Sequence, residues 1–164
     1  MAYTVIRTDL MSGTNVAADL RSCRVYDDND KPIAVENGTI VELFGYEDGQ
    51  REVMKAKLAT AASKLSDCVV IATPEVLYDE RKKNIDEFVN EAGTICRGYV
   101  LRSRNIFSIT KEGFVGGTAP AKDAEVGIGA DGKLEIGSGF GEVIAIETAG
   151  RYTYYVIKIA NVEV

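Results

Sequence analysis

Gly139–Val164, GFGEVIAIETAGRYTYYVIKIANVEV, carries the strongest β signal in the chain. Val143-Ile144-Ala145-Ile146 is a short apolar run of mostly branched residues. Arg151–Ile159 is rich in Tyr, Val and Ile, side chains that fit a pleated, packed surface. Between them lies Ala149-Gly150, and Gly150 can take the positive φ of a close reversal. The spacing therefore predicts a hairpin of Glu142–Thr148 with Arg151–Ile159. Alternation in the second strand sets Thr153, Tyr155, Ile157 and Ile159 on one face and Tyr152, Tyr154 and Val156 on the other. One face fills a core. The other is either enclosed within the same domain or packed against another subunit.

The residues upstream add strands to this hairpin. Ser22–Tyr26 is a candidate strand, closed by the turn formers Asp27-Asp28-Asn29-Asp30-Lys31-Pro32. From Ile33 to Ala56 the pattern is a meander, with Asn37-Gly38 as a hairpin signal, Thr39–Phe44 as β, a reversal at Tyr46-Glu47-Asp48-Gly49 and a return over Glu52–Ala56. Leu58–Leu65 is Ala-rich and predicts one or two helical turns. Cys68–Thr73 is a continuous apolar strand stopped by Pro74. Within Glu75–Ala92, Ile85, Phe88 and Val89 recur at i, i+3, i+4, with Asp79 placed to cap and Ala92-Gly93 to stop, which predicts one short helix over 79–92. Ile95–Leu101 and Ile106–Ile109 read as further strands, and Thr118–Asp123 is the most linker-like stretch.

The expected fold is mainly β: an antiparallel β-barrel or sandwich-like module with one short helix and an extended N-terminal arm. Residues 1–20 form the arm, 21–118 a β meander that includes the helix, and 119–164 the C-terminal hairpins, packed with 21–118 as one β-rich domain. The arm's short apolar alternation at Tyr3, Val5 and Ile6 fits either an edge strand of the protein's own sheet or a segment laid on a partner.

Composition bounds the function classes. The chain has 164 residues, 46% hydrophobic and 27% charged, enough to fold around its own core without disulfides. With 19 Lys+Arg against 25 Asp+Glu the net charge is -6, which repels phosphate backbones, so nucleic acid is not an expected partner. Arg81-Lys82-Lys83 is bracketed by acids and reads as a solvated face. No apolar run is long enough to span a bilayer as a helix, and MAYTVIRTDL lacks the layout of a signal peptide, so neither a membrane partner nor export is expected. Cys23, Cys68 and Cys96 are odd in number and widely spaced, which predicts reduced thiols in a cytosol.

Chemical motifs fail on inspection. There is no His, which removes the commonest general base, the Ser-His and Cys-His nucleophile pairs and the usual zinc ligands. Gly127–Lys133 matches the front of a phosphate-cradling loop, but Leu134 stands where a Mg²⁺-holding hydroxyl belongs, and Asp131-Gly132 reads as a hairpin turn with no helix behind it. Gly137-Ser138-Gly139-Phe140-Gly141 lacks the third dinucleotide glycine, with Glu142 in its place. The acidic run from Asp28 has Pro32 and Ile33 where a calcium loop needs a ligand and a glycine. No catalytic residue, cofactor or metal site is expected.

Met1–Leu10, the Asn37-Gly38 turn, Gln50-Arg51-Glu52-Val53 and Pro74–Glu80 resemble a group of virion proteins of tailed bacteriophages of Gram-positive hosts. So do Asn90-Glu91-Ala92-Gly93 with Arg97-Gly98-Tyr99, Ile106–Thr110 and the closing strand Tyr152–Ile159. The class implied is a capsid decoration, or head auxiliary, protein: small β-rich subunits, often trimeric, that bind the outside of a head and stabilise the shell. The resemblance implies a non-enzymatic virion protein on the capsid exterior, made in the host cytoplasm, with the major capsid protein and itself, as a homotrimer, for partners. The alternatives are a tail, connector or head-fibre component, or a small β-barrel ligand-binding protein or enzyme. Under the first reading Tyr3, Val5, Ile6, Arg7 and Leu10 are the expected capsid contacts, and Tyr152, Tyr154 and Val156 the expected subunit interface.

Overall fold

The computed structural model describes residues 2–160 and residue 162. Ten strands form two sheets. Strands β1 (Leu20–Tyr26), β2 (Ile40–Glu47), β3 (Gln50–Leu58), β4 (Cys68–Ile71) and β5 (Cys96–Val100) close a barrel in the order β1-β3-β2-β4-β5. Strands β6 (Ile106–Ile109), β7 (Glu125–Ile128), β8 (Leu134–Ile136), β9 (Gly141–Ala149) and β10 (Tyr152–Ile159) form a second sheet, ordered β6-β10-β9-β7-β8. All ladders are antiparallel except β1 with β3, between which the β2–β3 hairpin returns the chain. The expectation of a mainly β fold, barrel or sandwich-like, holds.

One barrel strand, β4, is apolar on both faces. In β4, all of Cys68-Val69-Val70-Ile71 is buried. Val69 and Ile71 point into the barrel with Cys23, Val25, Val41, Ala56 and Cys96. Cys68 and Val70 point outward, joining Ile40, Tyr99 and Leu101 against the second sheet. A strand covered on both sides reads as an unbroken apolar run, which is what Cys68–Ile71 is. The outer core contains Ile109 of β6, Leu134 of β8, Val143 of β9 and Tyr155, Ile157 and Ile159 of β10. Side chains of both sheets thus share one core. The chain passes from the first sheet to the second over residues 101–105, ahead of the linker-like 118–123.

The C-terminal hairpin is the middle of the second sheet, as β10 pairs with β9 on one side and β6 on the other. Its last pair is Ala149 with Tyr152, so the two-residue loop is Gly150-Arg151, with Gly150 at φ 61°. Asp131-Gly132 likewise turns between β7 and β8 with both residues at positive φ. The acidic run at Asp27 is a turn in which the Asp27 carboxylate accepts the N–H groups of Asn29 and Lys31.

Three local expectations need correction. The Ala-rich stretch after β3 is not helical until a single 3₁₀ turn at Leu65–Asp67. Asn37-Gly38 is a turn into β2, not a hairpin, because Asn37 is turned inward to bind another loop. The helix expected over 79–92 is one 3₁₀ turn, Ile85–Glu87. Its start signals are real but are used locally: Asp79 holds the N–H and guanidinium of Arg81, and Glu87 accepts the backbone N–H groups of Lys83 and Asn84. Those bonds hold both carboxylates below their usual range. The apolar stripe of Ile85, Phe88 and Val89 buries too little to draw the segment into a longer helix, and Asn90 is pulled into a β-bridge with Val35.

Candidate functional site

The most distinctive surface is built by the long connection between β4 and β5. From Pro74 to Glu80 the chain has no ladder partner, Val76 N–H donates to Pro74 O in a tight turn, and burial alternates: Pro74, Val76, Tyr78 and Glu80 are exposed while Glu75, Leu77 and Asp79 are half-buried. Pro74, Val76 and Tyr78 are thus all presented outward. Tyr78 is 91% exposed and Val76 52%. Behind them is a cleft of about 410 Å³ between this segment and the return limb, lined mainly by Pro74, Val76, Tyr78, Phe88, Val89 and Ile95.

Buried amides hold the two limbs of the cleft in place. Asn37, 1% exposed, donates through Nδ2 to Thr73 O at 2.8 Å, while its Oδ1 accepts from Thr73 N at 3.1 Å and from Asn90 Nδ2 at 3.1 Å. Asn90 Nδ2 also donates to Val35 O at 3.0 Å. One side chain therefore joins the exit of β4 to the limb that leads into β5. Further out, the Thr8 hydroxyl donates to Glu75, Tyr3 N–H donates to Asp86 O, and Arg151 at the β9–β10 turn reaches both Asp86 and Asn84. The loop is tied at both ends and in its middle, yet its outward side chains have nothing over them.

Replacing Asn37 with Ala is expected to leave the half-buried N–H and C=O of Thr73 without their side-chain partner and Asn90 Nδ2 with Val35 O alone, at a cost of about 2–4 kcal/mol. The loop should be released before the barrel. Trypsin cutting after Arg81, Lys82 or Lys83 then accelerates at denaturant concentrations where the wild-type protein resists. Cleavage no faster than wild type would remove Asn37 from this role.

The arm residues are divided by the structure. Val5 and Ile6, expected at the capsid, are 1% and 2% exposed and belong to the protein's own core. Val5 O accepts from Thr110 N, Arg7 N donates to Ser108 O, and Ile6 bridges Ile109, so the arm is an added edge segment beside β6. Arg7 binds Asp9 and lies over the Tyr154 ring at 5.2 Å. Tyr3 is half-buried, and Leu10 alone of the five is broadly exposed. The expected interface residues also turn inward. Tyr154 and Val156 are buried within the chain, and Tyr152 is half-buried under Arg151. Burial pushes the Tyr154 phenol up, with Arg7 opposing. The second face of β10 is thus closed largely by the chain itself.

Among the described residues there is no group of three or more His, Cys, Asp or Glu side chains placed to hold a metal ion. Burial pushes the Cys23 and Cys68 thiols up to about 12, far from a reactive thiolate. Two polar clefts border Arg151 and Tyr152, but Arg151 is committed to Asp86 at 2.6 Å. No family model, curated protein or solved structure matches the chain.

Sequence inspection missed this site because its parts look ordinary. Asn37-Gly38 is a turn signal wherever it occurs, and an apolar residue at every second position of Pro74–Tyr78 is indistinguishable from a strand until its partner is seen to be absent.

Proposed function

We propose that this protein is a non-enzymatic virion structural protein that binds the outside of a phage capsid and stabilises the shell. It docks through the β4–β5 connection. The observation that carries the docking surface is the outward row of Val76 and Tyr78 on a tethered loop beside an apolar cleft. A large exposed aromatic on a tethered loop supplies an anchor of the kind that dominates interfaces. Leu10, 52% exposed on the arm, remains available as a secondary contact. The resemblance to decoration proteins supplies the partner, a major capsid protein, and self-association as a trimer belongs to the same reading.

Labelled protein is expected to co-sediment with undecorated capsids. The double variant Val76→Ser/Tyr78→Ser should weaken binding by roughly 30-fold or more while leaving thermal unfolding close to wild type, since neither side chain is in the core. Wild-type protein that sediments with isolated tails and not with heads would move the assignment to a tail or connector component. The size of the cleft favours a second reading, a small-ligand binder, because about 410 Å³ is in the range that small molecules occupy. Saturable stabilisation by a sugar, nucleotide or divalent ion in a thermal-shift screen would support that reading in place of the first.

A further inference from the structure

Cys23 and Cys96 are far apart in sequence and directly opposite in space. They are register partners in the antiparallel pair β1–β5, the seam at which the barrel closes. Both side chains point into the barrel core, at 0% and 3% exposure, whereas Cys68 lies in the other core, with its thiol directed to Lys64 O. Arg97 uses its N–H and C=O on the β4 side, with Thr73 Oγ1 and Ala72 N, so the backbone groups of Cys96 face β1. That makes Cys23–Cys96 a hydrogen-bonded pair, with Cα atoms about 5.5 Å apart. Disulfides bridge Cα separations of about 4.4–6.8 Å and Cβ separations of about 3.5–4.5 Å; the Cβ atoms of a hydrogen-bonded pair stand about 5.5 Å apart, so closing the bond draws the two strands together at this point.

We propose that Cys23 and Cys96 form a cross-strand disulfide when the protein meets an oxidising thiol–disulfide buffer, stapling the barrel along its closing seam. The oxidant is a small-molecule disulfide. One cysteine thiolate attacks it, forming a mixed disulfide and releasing one thiol. The second cysteine thiolate then attacks the protein-bound sulfur, closing the bond and releasing the other thiol. Two protons and two electrons leave the pair, and the oxidant is reduced to two thiols. Burial raises both thiols in the closed barrel. Both thiolate fractions are small at neutral pH, so exchange in the closed barrel is slow and the bond forms while the seam is open, during folding or local opening. The closed loop is long, which increases the loss of freedom that a cross-link imposes on the unfolded chain.

The test uses the full chain, unfolded in urea with reductant and refolded in oxidised and reduced glutathione. Free thiols are then alkylated in denaturant, and peptides are mapped by mass spectrometry. The wild-type map is expected to join the Cys23 and Cys96 peptides and leave Cys68 alkylated. Cys68→Ala should refold with no alkylatable thiol, and Cys23→Ala and Cys96→Ala should yield no intramolecular bond. The oxidised protein should unfold at a higher urea concentration than the reduced one. An intramolecular bond to Cys68, or both Cys23 and Cys96 alkylated after refolding, overturns the proposal. A Cys23–Cys96 bond that lowers the urea midpoint overturns the staple. The wild-type map answers the question even if a variant fails to fold.

Discussion

Deleting residues 2–12 is expected to unfold the protein. The arm contributes Val5, Ile6 and Met11 to the core, at 1%, 2% and 9% exposure. Removing three such side chains from water is worth about 1.5–3 kcal/mol each, roughly 5–9 kcal/mol together. A domain of ordinary stability has about 5–15 kcal/mol in all. The loss extends beyond burial: Thr4 N and Oγ1 both donate to Glu36, whose other oxygen lies 3.6 Å from Lys133 Nζ, so the arm ties the approach to β2 to the β7–β8 hairpin. Ser108 C=O on β6 and Thr110 N–H just past its end would also lose their partners. Far-ultraviolet circular dichroism and urea titration of the truncated chain measure this. A truncated protein with a cooperative transition near the wild-type midpoint would return the arm to the role of a detachable contact.

Tyr155→Asp is expected to be nearly as damaging. Tyr155 is 7% exposed and packs edge-on against Phe114, with ring centroids 5.9 Å apart and planes at 80°. Truncating a buried aromatic costs about 3–5 kcal/mol. A carboxylate left in the same place adds a desolvation penalty, or must be protonated to avoid it. Tyr155→Phe keeps the ring and should cost less than about 1.5 kcal/mol, which separates packing from any effect of the hydroxyl. If the Asp variant has a urea midpoint equal to that of the Phe variant, the inward face of β10 has been misassigned.

The same strand shows how far a pattern of residues reaches. Alternation puts Tyr155, Ile157 and Ile159 together, and they do fill the shared core. It also puts Tyr154 and Val156 on the opposite face, but a period of two says nothing about what lies over that face. Part of the cover is Arg7, which is 147 positions earlier than Tyr154 in sequence and reaches its ring only because the arm runs along β6. The candidate surface follows the same rule in reverse. Val76 and Tyr78 have the spacing of a buried strand, and they are exposed because no other segment arrives to pair with them. The 79–92 helix failed for a related reason. Its caps satisfied their hydrogen bonds within four residues, and Asn90 found a longer-range partner in Val35.

By itself the sequence determined what depends on neighbours along the chain: the β class, the C-terminal hairpin and its turn, the doubly buried run at Cys68–Ile71, and the failure of the phosphate-loop and calcium-loop matches. These follow from local sterics, side-chain period and the chemistry of single positions. Only the tertiary structure decided which apolar faces are covered. It spent Val5 and Ile6 in the core, turned Asn37 inward as a clamp, set Cys23 against Cys96 across the barrel seam and left Tyr78 in solvent. Each of those outcomes depends on which distant segment arrives, and no local period or propensity encodes that.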